Sequence, residues 1–244
     1  MSLALVYSRA LSGMNAPLVE VEAHLANGLP HFNIVGLPVT EVKESRDRVR
    51  AAIIQSGFDF PAKKITVNLA PADLPKESGR FDLPIALGIL AASGQIAPEK
   101  LAQYEFAGEL ALSGMLRPVR GALAMAWQGM QAGRSFVLPQ ENAEQAAVMR
   151  GITVYGARSL GEVAAHLNGI EPLAQTDCQV PQRSSENAKL PDLIDVKGQH
   201  TARLALEIAA AGGHSLLMMG PPGTGKSMLS QRLPGILPPL TEDE

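Results

Sequence analysis

The amino-acid sequence predicts an α/β protein built as two units. Strand-like and helix-like hydrophobic periods alternate along residues 1–170, the pattern expected of helices layered on a sheet. A polar stretch punctuated by Pro172, Pro181 and Pro191 interrupts this pattern at residues 171–191 and reads as a linker. Residues 192–244 open a second unit, in which a short apolar run leads into a glycine-rich loop.

Residues 4–7 begin the first unit as a strand, and 18–25 follow with apolar and acidic residues in alternation, which suits a half-exposed strand. Residues 32–35 and 64–69 are further strands. Between them, Val42, Val49, Ala52 and Ile53 line one side of a helix at 42–56, with Gly57 after its end. Residues 83–92 are apolar all round, as in a buried helix, and Pro84 is tolerated in a first turn. Asp82 precedes that helix and is expected to cap it. Residues 107–119 read as two strands about Ser113-Gly114. Helices are expected at 122–131, 143–149 and 159–167, and strands at 135–138 and 152–155. In the second unit a helix at 201–211 precedes an apolar run, 214–219, which reads as a buried parallel strand.

With 46% apolar and 18% charged residues, the chain can bury a core and is not disordered in type. A net charge of −3 argues against coating by DNA through bulk charge, while leaving local basic patches open. The lone Cys178 excludes an internal disulfide framework and a thiolate metal cluster. His24, His31, His166, His200 and His214 have no zinc-site spacing. No secretion signal opens the sequence, and no apolar run approaches the ~20 residues of a membrane span. The expected setting is cytoplasmic, with no membrane partner.

The loop at 220–227 reads Gly220-Pro221-Pro222-Gly223-Thr224-Gly225-Lys226-Ser227, a full G-x-x-x-x-G-K-[ST] pattern, the Walker A motif. Its glycines let backbone N–H groups turn inward on a triphosphate, Lys226 reaches the outer phosphates, and Ser227 is placed to hold Mg²⁺. ATP with Mg²⁺ is therefore the expected cofactor. After Ser227 come Pro234, Pro238 and Pro239, and no second strand with an acidic end. Hydrolysis in this class uses such an acid to hold the metal and polarise water. The sequence thus reads as the front of a larger ATPase, with no catalytic residues of its own for hydrolysis.

Residues 42–53 (VKESRDRVRAAI), 68–76 (NLAPADLPK) and 80–87 (RFDLPIAL), with Ala210-Ala211-Gly212-Gly213-His214 leading into the loop, resemble the magnesium-chelatase-like AAA+ family over essentially the whole chain. The resemblance implies a domain like the proteolytic domain of Lon, of the ribosomal protein S5 domain 2-like fold, followed by the beginning of an AAA+ module. It also implies a hexameric, ATP-driven motor acting on DNA, branched or single-stranded, with most DNA-contacting and hydrolytic parts past Glu244. In AAA+ proteins a segment placed as Gly198 and Gln199 are lies against adenine.

Two other functions stay open: a chelatase-like remodelling subunit and a non-catalytic interaction domain. A Lon-type serine–lysine protease is disfavoured. Phe81 falls near the serine position, and Ala122-Leu123-Ala124-Met125-Ala126 offers no lysine where one is needed, although Ser78 and Ser93 lie nearby. Lys43, Arg46, Arg48 and Arg50, with Arg9, Lys63, Lys64 and Lys76, are the densest basic positions of the first unit. They suit a DNA backbone. An exposed face paired locally with Glu41, Glu44 and Asp47 is the favoured account.

Overall fold

The structure, a computed structural model, describes residues 2–13, 15–36, 40–74, 76, 79–149, 151–177 and 190–238, with 40–43 described by backbone alone. Ser78, the Lys43 side chain and most of the expected linker lie outside the described residues. The chain divides into two compact units, Met1–Gln179 and Val180–Glu244.

The first unit is a mixed α/β layer on a mostly parallel sheet. Its strands are β1 (Ser2–Arg9), β2 (Leu18–Ala26), β3 (His31–Val35), β4 (Lys64–Ala70), β5 (Tyr104–Phe106), β6 (Glu109–Leu110), β7 (Leu116–Arg117), β8 (Ser135–Pro139) and β9 (Val154–Ala157). Seven of them form one sheet in the order β3-β4-β2-β1-β5-β8-β9, while β6 and β7 pair separately. In β2 the alternation is physical: Val19, Val21, Ala23 and Leu25 are buried, and Glu20, Glu22 and His24 are half-exposed. β1 runs antiparallel to β2 from Ser2 opposite Leu25 to Arg9 opposite Leu18, and parallel to β5 through Tyr7 and Glu105.

The helices of this unit are α1 (Thr40–Gln55), α2 (Asp82–Ala92), α3 (Ala122–Gln131), α4 (Gln140–Ala146) and α5 (Leu160–Leu167). All of α2 is buried. Gly88 lets it approach the sheet closely, since a Cβ there would stand 3.0 Å from that of Ala23. A second apolar cluster joins α3 and α4 to β8 and β9 through Met125, Phe136, Leu138, Ala143 and Val154. Ser159 caps α5 by accepting from the Glu162 N–H at 3.2 Å.

Asp82 departs from the expected cap. Phe81 holds the cap position with no side-chain bond, and Asp82 is the first residue of α2. Its buried carboxylate accepts from Ser45 Oγ, from Arg48 Nε at 2.8 Å and from the Leu110 N–H at 3.2 Å, so it ties α1 to β6. Burial pushes this carboxyl above its ordinary value, and Arg48 and Ser45 oppose that shift. β5 was not expected, because Glu105 interrupts its apolar pattern. Glu105 is buried at the sheet centre and receives Arg9 through Nε at 2.5 Å and a second nitrogen at 2.7 Å. Arg134 adds a longer contact at 3.3 Å while lying 4.0 Å over the Tyr7 ring.

The basic residues therefore sort into two groups. Arg9 and Arg48 serve buried carboxylates, and buried Lys76 donates to the Pro71 carbonyl, its ammonium pushed below its ordinary pKa by burial. Arg46, Arg50, Lys63 and Lys64 stay exposed. Phe81 is fully buried, and Ser93 Oγ donates to the Leu90 carbonyl at 3.0 Å. His166 packs on the rings of Tyr104 and Tyr155 and accepts from the Leu173 N–H through Nδ1 at 2.9 Å.

The second unit contains α6 (His200–Gly212), α7 (Lys226–Ser230) and α8 (Leu233–Ile236). Leu193, Val196, Leu206 and Leu229 form its small core. The helix after the loop breaks at Gln231 and Arg232, and Pro234 sits in the first turn of α8, where a missing N–H is harmless. The expected strand at 214–219 does not form. A parallel strand takes its hydrogen bonds from neighbours, and the described residues of this unit contain no strand to supply them. Leu217 and Met219 stand 82% and 85% exposed in consequence. Among the described residues no helix is long and apolar enough to cross a membrane.

Candidate functional site

The loop at 220–227 is shaped by its glycines and fastened from two sides. Gly223 and Gly225 take φ of 82° and 84°, left-handed values that side chains rarely adopt. These turns bring Thr224 back over the loop, where its hydroxyl donates to the Pro221 carbonyl at 3.0 Å. Beneath it, buried Leu229 anchors α7 in the core of the unit. Arg232 bonds the Asp192 carbonyl at 3.0 Å and the Met228 carbonyl at 2.8 Å, which clamps the segment before α6 to the end of α7. No sequence reasoning pointed to Arg232. Its single charge after the loop carries no periodic signal.

Lys226 folds back over the loop mouth. Its Nζ donates to the carbonyls of Gly220 and Pro221, both at 2.8 Å, and lies 3.4 Å from Thr224 Oγ1. Among the described residues, the N–H groups of Gly223, Gly225, Lys226 and Ser227 donate to no acceptor. The donor set is thus a run of amides, one ammonium and the exposed Ser227 hydroxyl. That chemistry fits an anion with an accompanying divalent cation.

Gly198 and Gln199, chosen from the sequence with the loop, come to it in space. Gly198 has φ of 69° and Gln199 φ of 50°, the latter uncommon for a residue with a side chain. This turn starts α6 and aims the Gln199 amide so that Nε2 donates to the Thr224 carbonyl at 3.3 Å. A Cβ at Gly225 would meet that amide at 3.0 Å and the Met228 methyl at 3.3 Å, so the side chains of Gln199 and Met228 pack closely against the loop, and it is the left-handed φ that calls for glycine there. The residues fit a phosphate-bearing ligand by donor type and by shape.

Loop, lysine and serine carry the pattern of the phosphate-loop class of nucleotide-binding proteins. Residues 21–142 match the family described as subunit ChlI of Mg-chelatase, and residues 192–244 the family described as magnesium chelatase, subunit ChlI. The chain is 52% identical over 244 residues to protein YifB of Salmonella typhimurium. It is 51% identical over 246 residues to competence protein ComM of Haemophilus influenzae. A Mycobacterium tuberculosis protein, Rv2897c, is 41% identical over 245 residues. Each alignment takes in 100% of this chain and 48% of the relative, so the chain spans about half the length of the curated relatives it matches. The chain belongs to the ChlI family of magnesium-chelatase-like proteins, in the group that includes YifB and ComM. This is an AAA+-like ATPase family.

Proposed function

We propose that the chain binds ATP with Mg²⁺ in the 220–227 loop, as the front of a hexameric motor that drives branch migration of DNA during natural transformation and recombination. The observation carrying this reading is the fastened loop: the amides of Gly223 and of Gly225 to Ser227 have no acceptor among the described residues, and Lys226 lies at the loop mouth. In this reading the amides of Gly223 to Ser227 and the Lys226 ammonium hold the phosphates, Ser227 holds Mg²⁺, and Gly198 and Gln199 lie beside the adenine. Bound nucleotide supplies a phosphoanhydride bond whose cleavage can drive movement. The competence name of the Haemophilus relative supports the DNA substrate. Residues 1–170 act as a Lon-like scaffold without protease chemistry, 171–191 as a linker and 192–244 as the start of an AAA+ module. The buried Phe81 and an α3 without lysine support that assignment.

A second reading, a remodelling subunit of chelatase type, is favoured by the family descriptions. A protein carrying the relatives' full length separates the two. The motor reading expects ATP hydrolysis stimulated by forked or four-way DNA and removed by Lys226→Ala. Hydrolysis indifferent to DNA would reject the motor, and turnover surviving Lys226→Ala would reject the role of the lysine.

A further inference from the structure

Three exposed basic residues of the first unit, Arg46, Arg50 and Lys63, line a cleft of about 480 Å³. Arg46, Asp47 and Arg50 of α1 form one wall, Phe32 of β3 another, and Phe60 and Lys63 the third, on the segment leading to β4. The two rings lie 6.0 Å apart at 47°, forming an apolar floor, and the Arg50 guanidinium stands 5.2 Å over Phe60. Arg46, Arg50 and Lys63 line that floor together with Asp47. The wall is therefore made for a ligand that joins a flat ring to a negative charge.

We propose that this cleft binds single-stranded DNA, stacking an unpaired base on Phe60 with Phe32 at its edge and pairing flanking phosphates with Arg50 and Lys63. Stacking on aromatic rings beside a positive groove is how strands are held without sequence preference. A duplex cannot use the floor, because its bases are stacked on one another. An acidic peptide would find the cations but leave the rings uncovered. Arg50 already lies against Phe60, so a bound base would extend a stack that the protein has begun. The inference rests on the DNA reading for the identity of the strand, and it adds a second contact point in the unit that lacks the phosphate loop.

The test is anisotropy of a labelled 20-mer oligo-dT titrated with the 244-residue chain at several salt concentrations. Lys63→Gln and Arg50→Gln should each weaken binding and flatten the log–log salt dependence by roughly 0.7. Phe60→Leu, which keeps apolar volume, should weaken binding about tenfold without changing that slope, and Phe60→Trp should restore it. A fluorescent ATP analogue titrated into the same samples should bind these variants as it binds the unaltered chain, and should be lost only with Lys226→Ala. That separation tells failure of the cleft from failure of the nucleotide reading. Oligo-dT binding that is absent, unmoved by all three cleft substitutions, or matched by blunt duplex or poly-glutamate would overturn the proposal.

Discussion

Replacing Arg9 by methionine tests whether the centre of the sheet depends on one buried ion pair. Arg9 is 5% exposed and Glu105 fully buried, and the pair is bidentate at 2.5 and 2.7 Å. Arg9 also donates to the Ala16 carbonyl at 2.9 Å. Methionine keeps an apolar stem but leaves Glu105 with the 3.3 Å contact to Arg134. Removing one partner of a buried pair costs about 3–5 kcal/mol, mostly by stranding the other charge. The remaining Arg134 contact places the expected loss near the low end, about 3 kcal/mol. For a domain of this size that corresponds to a melting temperature lower by roughly 6–12 °C. Trp127, the one tryptophan of the chain, lies on α3 and reports unfolding of this unit alone in urea or heat. The double variant Arg9→Met with Glu105→Leu removes both charges and should return to within about 1 kcal/mol of the original. The reasoning is refuted if the single variant loses less than 1 kcal/mol, or if the double variant is no more stable than the single.

Acidification should weaken the same unit through His166. Burial first, then nearby Lys100, lowers its pKa below the ordinary 6.5, so below that pH the unfolded chain takes up a proton that the folded chain refuses. Stability should rise with pH across the window below about 6.5, and His166→Gln should flatten that rise in Trp127 melts. Gly225→Ala should weaken binding of a fluorescent ATP analogue, since φ of 84° opposes a side chain and a Cβ would push the Gln199 amide from the loop. Calorimetric titration showing unchanged affinity would count against the assigned cradle.

Elements that carry their own signal were legible in the sequence. The apolar run of α2 and the bounds of α3 appear where the pattern places them, and the phosphate loop announces itself by spacing. α4 begins at Gln140 and β9 ends at Ala157, each displaced from its expected bounds, because short elements fray and start under tertiary contacts. β5 hid behind Glu105, whose neutralising partner Arg9 is 96 residues away. The use of Asp82 was equally remote, since Ser45 and Arg48 lie on another helix. A basic run in sequence could not reveal that Arg48 turns to a buried carboxylate while Arg50 turns to Phe60. Only the fold separates them. At 214–219 the composition of a strand was present and the pairing was not, because a ladder is a property of neighbours.

β1 is the fourth of seven strands, joined antiparallel to β2 on one side and parallel to β5 on the other. Ser2–Arg9 is consequently the seam between β2, β4 and β3 on one side and β5, β8 and β9 on the other, and among the described residues no other pairing links these halves within the sheet. Loss of an edge strand trims a sheet, whereas loosening this seam would part β3, β4 and β2 from β5, β8 and β9. Its amide protons should be among the slowest to exchange with deuterated solvent, since they open only when the whole layer comes apart.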